Sequence, residues 1–195
     1  MQIKTKTELK KVLIQDAKAN RRISIYPKLF GDEVWKFIWM LRHNEFYDSL
    51  RGVKRLLYSP FIVVNKLMFH NISVKCGFSI PKGIVGKGLG IAHIGNIVIN
   101  SKCIIGDNLR IHEGVTLGAT SGSDAAPIIG NNVFIGSGAK VIGEIRIADD
   151  VAIGANAVVV KDINEPGTTW AGVPAKKISD KSSRSNLSPI LFLNQ

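Results

Sequence analysis

A period of six residues constrains this chain more than any other feature. Ile129, Ile135, Val141, Ile147, Ile153 and Val159 follow one another at steps of six without interruption. The same register read backwards gives Leu117, Ile111, Ile105 and Ile99, then His93 where the next aliphatic side chain should stand. Neither the turn of an α-helix nor the alternation of an ordinary strand produces this spacing. Four residues after the markers come Cys103, Leu109, Val115, Val133, Ala139, Ile145, Val151, Ala157 and Ile163, and glycine follows the marker at Gly106, Gly118, Gly130, Gly136 and Gly154. Three such units make an eighteen-residue triangular coil. Short parallel strands stack on the coil below, inward aliphatics form ladders, and glycines supply corner conformations that a Cβ would penalise. Strands of a sandwich would need alternation and variable turns instead. The expected fold is mainly β: a parallel β-helix over residues 76–179, preceded by an α-helical region over 1–75 and followed by a tail over 180–195.

The charge sits outside the coil. Of a net +11, residues 1–75 carry 15 Lys and Arg against 6 Asp and Glu, residues 76–175 carry 7 against 8, and residues 176–195 carry 4 against 1. No basic motif interleaved with aromatics accompanies the excess, which argues against nucleic acid as a partner. A basic surface attracting anionic ligands or lipid head groups is the simpler account. Two cysteines, Cys76 and Cys103, make no disulfide framework, and Cys103 falls on an inward ladder position that suits a small apolar side chain better than a nucleophile. The first residues lack an apolar segment of the signal-peptide type, so the expected location is the cytoplasm.

Residues 1–75 read as helices. Asp32 is a candidate N-cap for a segment whose apolar face is Val34, Trp35, Ile38, Trp39 and Leu41; Val53, Leu56, Leu57, Phe61, Val64, Leu67 and Met68 mark a second face, which Pro60 should kink or divide. The stretch LLYSPFIVVNKLMF is too short and too polar to span a bilayer. Its basic flanks, Arg51, Lys54, Arg55 and Lys66, permit peripheral contact with a membrane. Burial of this face within the protein's own assembly, or against a neighbouring one, is the favoured reading.

The run HIGNIVINSKCIIGDNLRIHEGVTLGAT from His93, the hexads from Ile129 to Lys161 and the closing AGVPAKKI resemble the hexapeptide-repeat acyltransferases, and within them the serine acetyltransferase branch. The resemblance implies a left-handed coil, a homotrimer, and acetyl-CoA bound between neighbouring subunits; a dimer of trimers through residues 1–75 is the larger alternative assembly. It places the catalytic histidine at His93, because His93-Ile-Gly-Asn-Ile-Val aligns with the branch's catalytic segment without a gap. An imidazole suits the task of taking a hydroxyl proton near neutral pH. His112, nineteen residues on, is expected one coil up and one position over, as a second catalytic residue that orients the acceptor or donates to the oxyanion, with Glu113 beside it in the pocket wall. For the donor, the resemblance points to Gly118, Ala119, Ser137, Ala139 and Ala157 along pantetheine, and to Lys140, Lys176 and Lys177 for the phosphates. No metal is expected, since HxxxH and CxxC spacings are absent.

Three positions depart from the branch. Ala92 stands where an aspartate precedes the base, Ala125-Ala126-Pro127 replaces an Arg-His-Pro element, and Phe78 aligns with the aspartate expected as the base's partner. A zwitterionic acceptor wants such charges. The expected activity is therefore an acetyl-CoA-dependent O-acetyl transfer by direct attack, with a sugar hydroxyl of a surface-glycan precursor preferred as acceptor. Asn96, Thr116, Ser121 and Ser123 supply candidate hydrogen bonds to it. L-serine is the alternative acceptor, and a non-catalytic trimeric scaffold the alternative class.

Overall fold

A computed structural model describes residues 2–123 and 125–193. Four helices come first: α1 (Lys6–Ala19), α2 (Glu33–Ser49), α3 (Gly52–Leu57) and α4 (Ser59–Cys76). A reciprocal cap starts α1, the Thr5 hydroxyl accepting from the Glu8 amide at 3.1 Å while the Glu8 carboxylate accepts from the Thr5 amide at 3.3 Å. Asp32 does precede α2, but its left-handed backbone (φ +69°) turns the side chain away from the helix. Its carboxylate accepts instead from Arg22 Nη2 at 2.8 Å and from the Lys28 amide at 3.0 Å. The break near Pro60 falls at Tyr58, between α3 and α4, and leaves the proline in the first turn of α4, where its missing N–H costs nothing. None of the described helices is long and apolar enough to cross a membrane.

Short strands follow in chain order: β1 (Phe78–Ser79), β2 (Gly90–Ile91), β3 (Ile97–Ile99), β4 (Ile104–Ile105), β5 (Arg110–Ile111), β6 (Thr116–Gly118), β7 (Ile128–Ile129), β8 (Phe134–Ile135), β9 (Lys140–Ile142), β10 (Arg146–Ile147), β11 (Ala152–Ile153), β12 (Val158–Val159), β13 (Thr169–Ala171) and β14 (Lys176–Ser179). They sort into three sheets, β1-β3-β6-β9-β12, β4-β7-β10 and β2-β5-β8-β11-β13-β14, in which every pairing is parallel except the last. From β3 to β12 the chain visits the three sheets in strict rotation, so it winds as a coil with one side per hexad. The markers from Ile99 to Val159 all point inward and are buried.

Two details differ from the expected coil. The rungs are not uniformly eighteen residues long: Ile128 pairs with Arg146, eighteen on, but Gly90 pairs with Arg110, twenty on, and Arg110 with Phe134, twenty-four on. The extra residues leave the coil around 93–96 and 119–127. The glycines after the markers also serve another purpose. A Cβ on Gly106 would lie 2.8 Å from the Gly130 backbone, and one on Gly136 would lie 2.7 Å from the Ala155 amide, so these positions are bare because the next rung passes too close. Left-handed corners fall instead to residues such as Asn108, Asn132 and Asp150, with φ of 59°, 54° and 60°. Their side chains stack into a ladder: Gln15 Nε2 donates to Asn108 Oδ1 (2.9 Å), Asn108 Nδ2 to Asn132 Oδ1 (2.8 Å), and Asn132 Nδ2 to Asp150 Oδ1 (3.1 Å).

The helices close the lower end of the coil. Trp35, Phe37, Ile38 and Leu41 of α2 share one apolar core with Phe78, Val85, Leu89 and Ile97. Beside it lies a buried ionic joint. Arg42 donates to Asp16 (Nε to Oδ2, 2.8 Å), to Glu45 (3.0 Å) and to the carbonyls of Val85 (3.1 Å) and Gly86 (2.6 Å). Asp16 in turn accepts the amides of Gly88 (2.7 Å) and Leu89 (2.8 Å). Asn20, just past α1, then occupies the open edge of β2, donating to the Leu89 carbonyl at 2.8 Å and accepting the Ile91 amide at 3.2 Å. At the other end β14 turns back antiparallel on β13, and the tail returns along the coil so that Leu187 and Leu191 pack on Ala19.

Candidate active site

The strand edge held by Asn20 carries His93. Extending the β2–β5 register by one residue sets Ala92 level with His112, and by two sets His93 level with Glu113; the longer rung above brings Ser137 into the same column. His112 therefore stands directly over Ala92, because the first rung is twenty residues rather than eighteen. Gly95 makes room for this column: a Cβ there would sit 2.8 Å from the Cβ of Glu113.

The side chains converge. The His93 and His112 rings meet edge-on with centroids 5.8 Å apart, and one ligand atom each from His93, His112 and Glu113 lie within 4.8 Å of one another. His93 is exposed, whereas His112 is half-buried against Phe134 (ring centroids 5.2 Å). Ser137 Oγ lies 3.4 Å from His112 Nδ1. Burial, together with the nearby Arg110 guanidinium, pushes the His112 pKa below that of a free imidazole, so its neutral form dominates at neutral pH. The hydrogen bond from Ser137 holds the Glu113 carboxyl below the usual range, and its Oε2 is buried without a partner among the described residues. The cluster thus joins a solvent-facing imidazole, a neutral imidazole and an ionised carboxylate. Its three donor atoms are also a set that a divalent ion could draw together.

The other expected site residues scatter. Ala139 and Ala157 are fully buried ladder side chains whose amides already donate to the Gly136 and Gly154 carbonyls, so they are withdrawn from the donor-binding set. Ser137 belongs with the histidines. Gly118 and Ala119 lie half-buried at the end of β6, beside the 119–127 excursion. Lys140 is bound to its own coil, its Nζ donating to the Gly114 carbonyl and to Thr116 Oγ1 (3.1 Å), so Thr116 is engaged as well. Lys177 pairs with Glu165 and with Asp180 (2.7 Å), whereas Lys176 makes no ion pair among the described residues. Lys176 lies on β14 at the far end of the sheet that begins with β2, five strands along the stack, roughly 24 Å, from the strand before His93. Phe78 is a core residue, its ring edge-on to Phe37 at 5.0 Å, which accounts for the lack of a carboxylate there. Cys103 is buried with its thiol pushed up to about 11 by desolvation, which excludes it as a nucleophile. Sequence reading placed Glu113 only in the pocket wall and gave Arg110 no role. The period that put Arg110 beside an inward marker was the available signal.

Comparison with known proteins decides the family. The chain is 35% identical over 177 residues to a serine acetyltransferase of Helicobacter pylori, an alignment covering 88% of this chain and 94% of that protein. The chain belongs to the serine acetyltransferase family. It is an acyltransferase. Residues 126–161 match the family described as bacterial transferase hexapeptide (six repeats). Among solved structures, serine acetyltransferase of Neisseria gonorrhoeae in complex with serine superposes with a TM-score of 0.65 at 29% identity, covering 89% of this chain and 70% of that one. That of Brucella abortus in complex with coenzyme A gives 0.65 at 27%, covering 91% and 70%. These relatives overturn the preference for a sugar acceptor: they are named for serine, and one of the solved neighbours holds it. The expectation counted charges only at the branch's own positions and left out the ionised Glu113 carboxylate and the Arg110 guanidinium near His112.

Proposed function

We propose that this enzyme is a serine O-acetyltransferase that moves the acetyl group of acetyl-CoA directly to the hydroxyl of L-serine, in cysteine biosynthesis. The observation that carries the site assignment is the convergence of His93, His112 and Glu113 within 4.8 Å. His93, the exposed member, takes the proton of the serine hydroxyl as the oxygen attacks the thioester carbonyl. Neutral His112, whose Nδ1 lies 3.4 Å from the Ser137 hydroxyl, orients the acceptor beside His93. As the carbon–sulfur bond breaks, the His93 imidazolium returns its proton to the thiolate of coenzyme A. Glu113 receives the serine ammonium and Arg110 its carboxylate. No step in this scheme calls for a metal. Acetyl-CoA lies along the coil axis, past Gly118 and Ala119, with its phosphates toward Lys176. Within this proposal the coil is left-handed, as the relatives' fold implies, and three chains assemble so that a donor bound by one faces the histidines of another.

Thiol release from acetyl-CoA, measured with L-serine and with a panel of neutral sugars, tests the acceptor. Serine should support kcat/KM above about 10⁴ M⁻¹s⁻¹, the lower end for enzymes on their own substrates. Release that is no faster with serine than without any acceptor would sink the proposal.

A further inference from the structure

Helix α3 is scarcely packed, and α4 packs on one side only, along α2, where Phe69 stacks on Phe37 with ring centroids 5.2 Å apart. α3 buries no residue, and α4 buries only Ile62, Asn65, Ile72 and Cys76, a single narrow stripe. At about 100° per residue, Val63, Leu67 and Val74 fall on the side opposite that stripe, with Val64 beside them. They are open to solvent, Leu67 at 63% and Leu56 of α3 at 72% of full exposure. A contiguous ridge of exposed apolar side chains of this kind is normally covered by a partner or a membrane. Between this face and α2 runs an open groove of about 480 Å³ lined by Trp39, Met40, Tyr47, Phe61, Val64 and Met68 among others, almost wholly apolar.

Charge indicates what covers the face. From Ser49 to Gly106 the chain has no Asp or Glu, and eight Lys or Arg. Lys75 and Lys82 are paired to Glu33 and Asp48, but Lys54, Arg55 and Lys66, which flank the apolar ridge, make no ion pair among the described residues. Two copies meeting face to face would bring these cations against their own counterparts, with no carboxylate on either side to offset them. An anionic lipid surface offsets all of them and takes the apolar side chains into its acyl boundary. We propose that the outer face of α3 and α4 docks this enzyme on anionic phospholipid membranes, with the α2–α4 groove open to an acyl chain. This reverses the preference, drawn from sequence, for burial of the face within the protein's own assembly.

Co-sedimentation of the full chain with vesicles tests it. Vesicles of phosphatidylcholine and phosphatidylglycerol in equal parts should pellet the protein, and vesicles of phosphatidylcholine alone should not. The triple variant Lys54→Glu, Arg55→Glu, Lys66→Glu should lower partitioning by on the order of a hundredfold, and raised salt should do the same. Leu56→Glu with Leu67→Glu should abolish binding through the apolar side. Since all five residues are exposed, circular dichroism and serine-dependent thiol release should stay at wild-type values, which separates this proposal from the catalytic one. Wild-type protein that stays in the supernatant with both vesicles, or pellets equally with both, overturns the proposal. So does a fall in oligomeric mass in the Leu56→Glu, Leu67→Glu variant, which would assign the face to self-association.

Discussion

Single side chains decide the chemistry, and position in the column separates the two histidines. His93→Ala should lower kcat by about a hundredfold or more, the usual scale for a lost general base, with little change in acetyl-CoA affinity. His112→Ala should cost less, and steady-state kinetics giving the reverse order would exchange their roles. Dialysis against a chelator should leave the wild-type rate unchanged. Glu113→Gln and Arg110→Met should each raise KM for serine about tenfold or more, with smaller effects on kcat, as expected when one charged contact to the substrate is lost. Two imidazoles also set a pH response. Burial lowers the pKa of His43, and burial with Arg110 lowers that of His112. Below about pH 6.5 the unfolded chain binds protons at these positions that the folded chain refuses until the pH is lower still, so stability is full above that point and falls as the medium is acidified. The thermal midpoint should therefore drop between about pH 8 and about pH 5, and His43→Phe should flatten part of the drop. His93 was legible in the sequence because it interrupts a strict period. The roles proposed for Arg110 and Glu113 were not, since the level of these residues with His93 depends on a rung of twenty residues that periodicity alone makes eighteen.

Among the elements, the repeat gave its own strands away, because a buried ladder demands an aliphatic side chain at every sixth position whatever the local propensity. The joint between helices and coil was hidden for the opposite reason. Asp16, Arg42 and Glu45 lie far apart from residues 83–89 in sequence and carry no periodic mark, yet they are the polar core of the interface. Burial alone would depress the Arg42 pKa, and the two carboxylates more than reverse this, so the guanidinium stays charged. Arg42→Ala would leave Asp16 and Glu45 buried without their cation and should cost about 3–5 kcal/mol in urea unfolding. Asn20→Ala should cost less globally but loosen the β2 edge, which exchange of the Ile91 amide would detect, because that edge carries His93.

At the scale of the molecule, light scattering should give about three times the 21.3 kDa chain mass, since the proposed cleft is shared between neighbours. An active monomer would refute that assembly. The two ends of the coil matter in another way. A stack of parallel rungs has no natural length, and an exposed last rung is a template on which any strand of matching period, including another copy's first rung, can add. On the sheet that carries the site, both ends break the parallel repeat. The side-chain amide of Asn20 imitates a neighbouring strand below β2, while β14 runs against the direction of every other rung and the returning tail fastens Ser183 to the Asn132 carbonyl. A parallel rung from a second copy therefore finds the lower edge occupied and, at the upper end, a strand of the opposite direction, which disfavours end-to-end growth along this sheet.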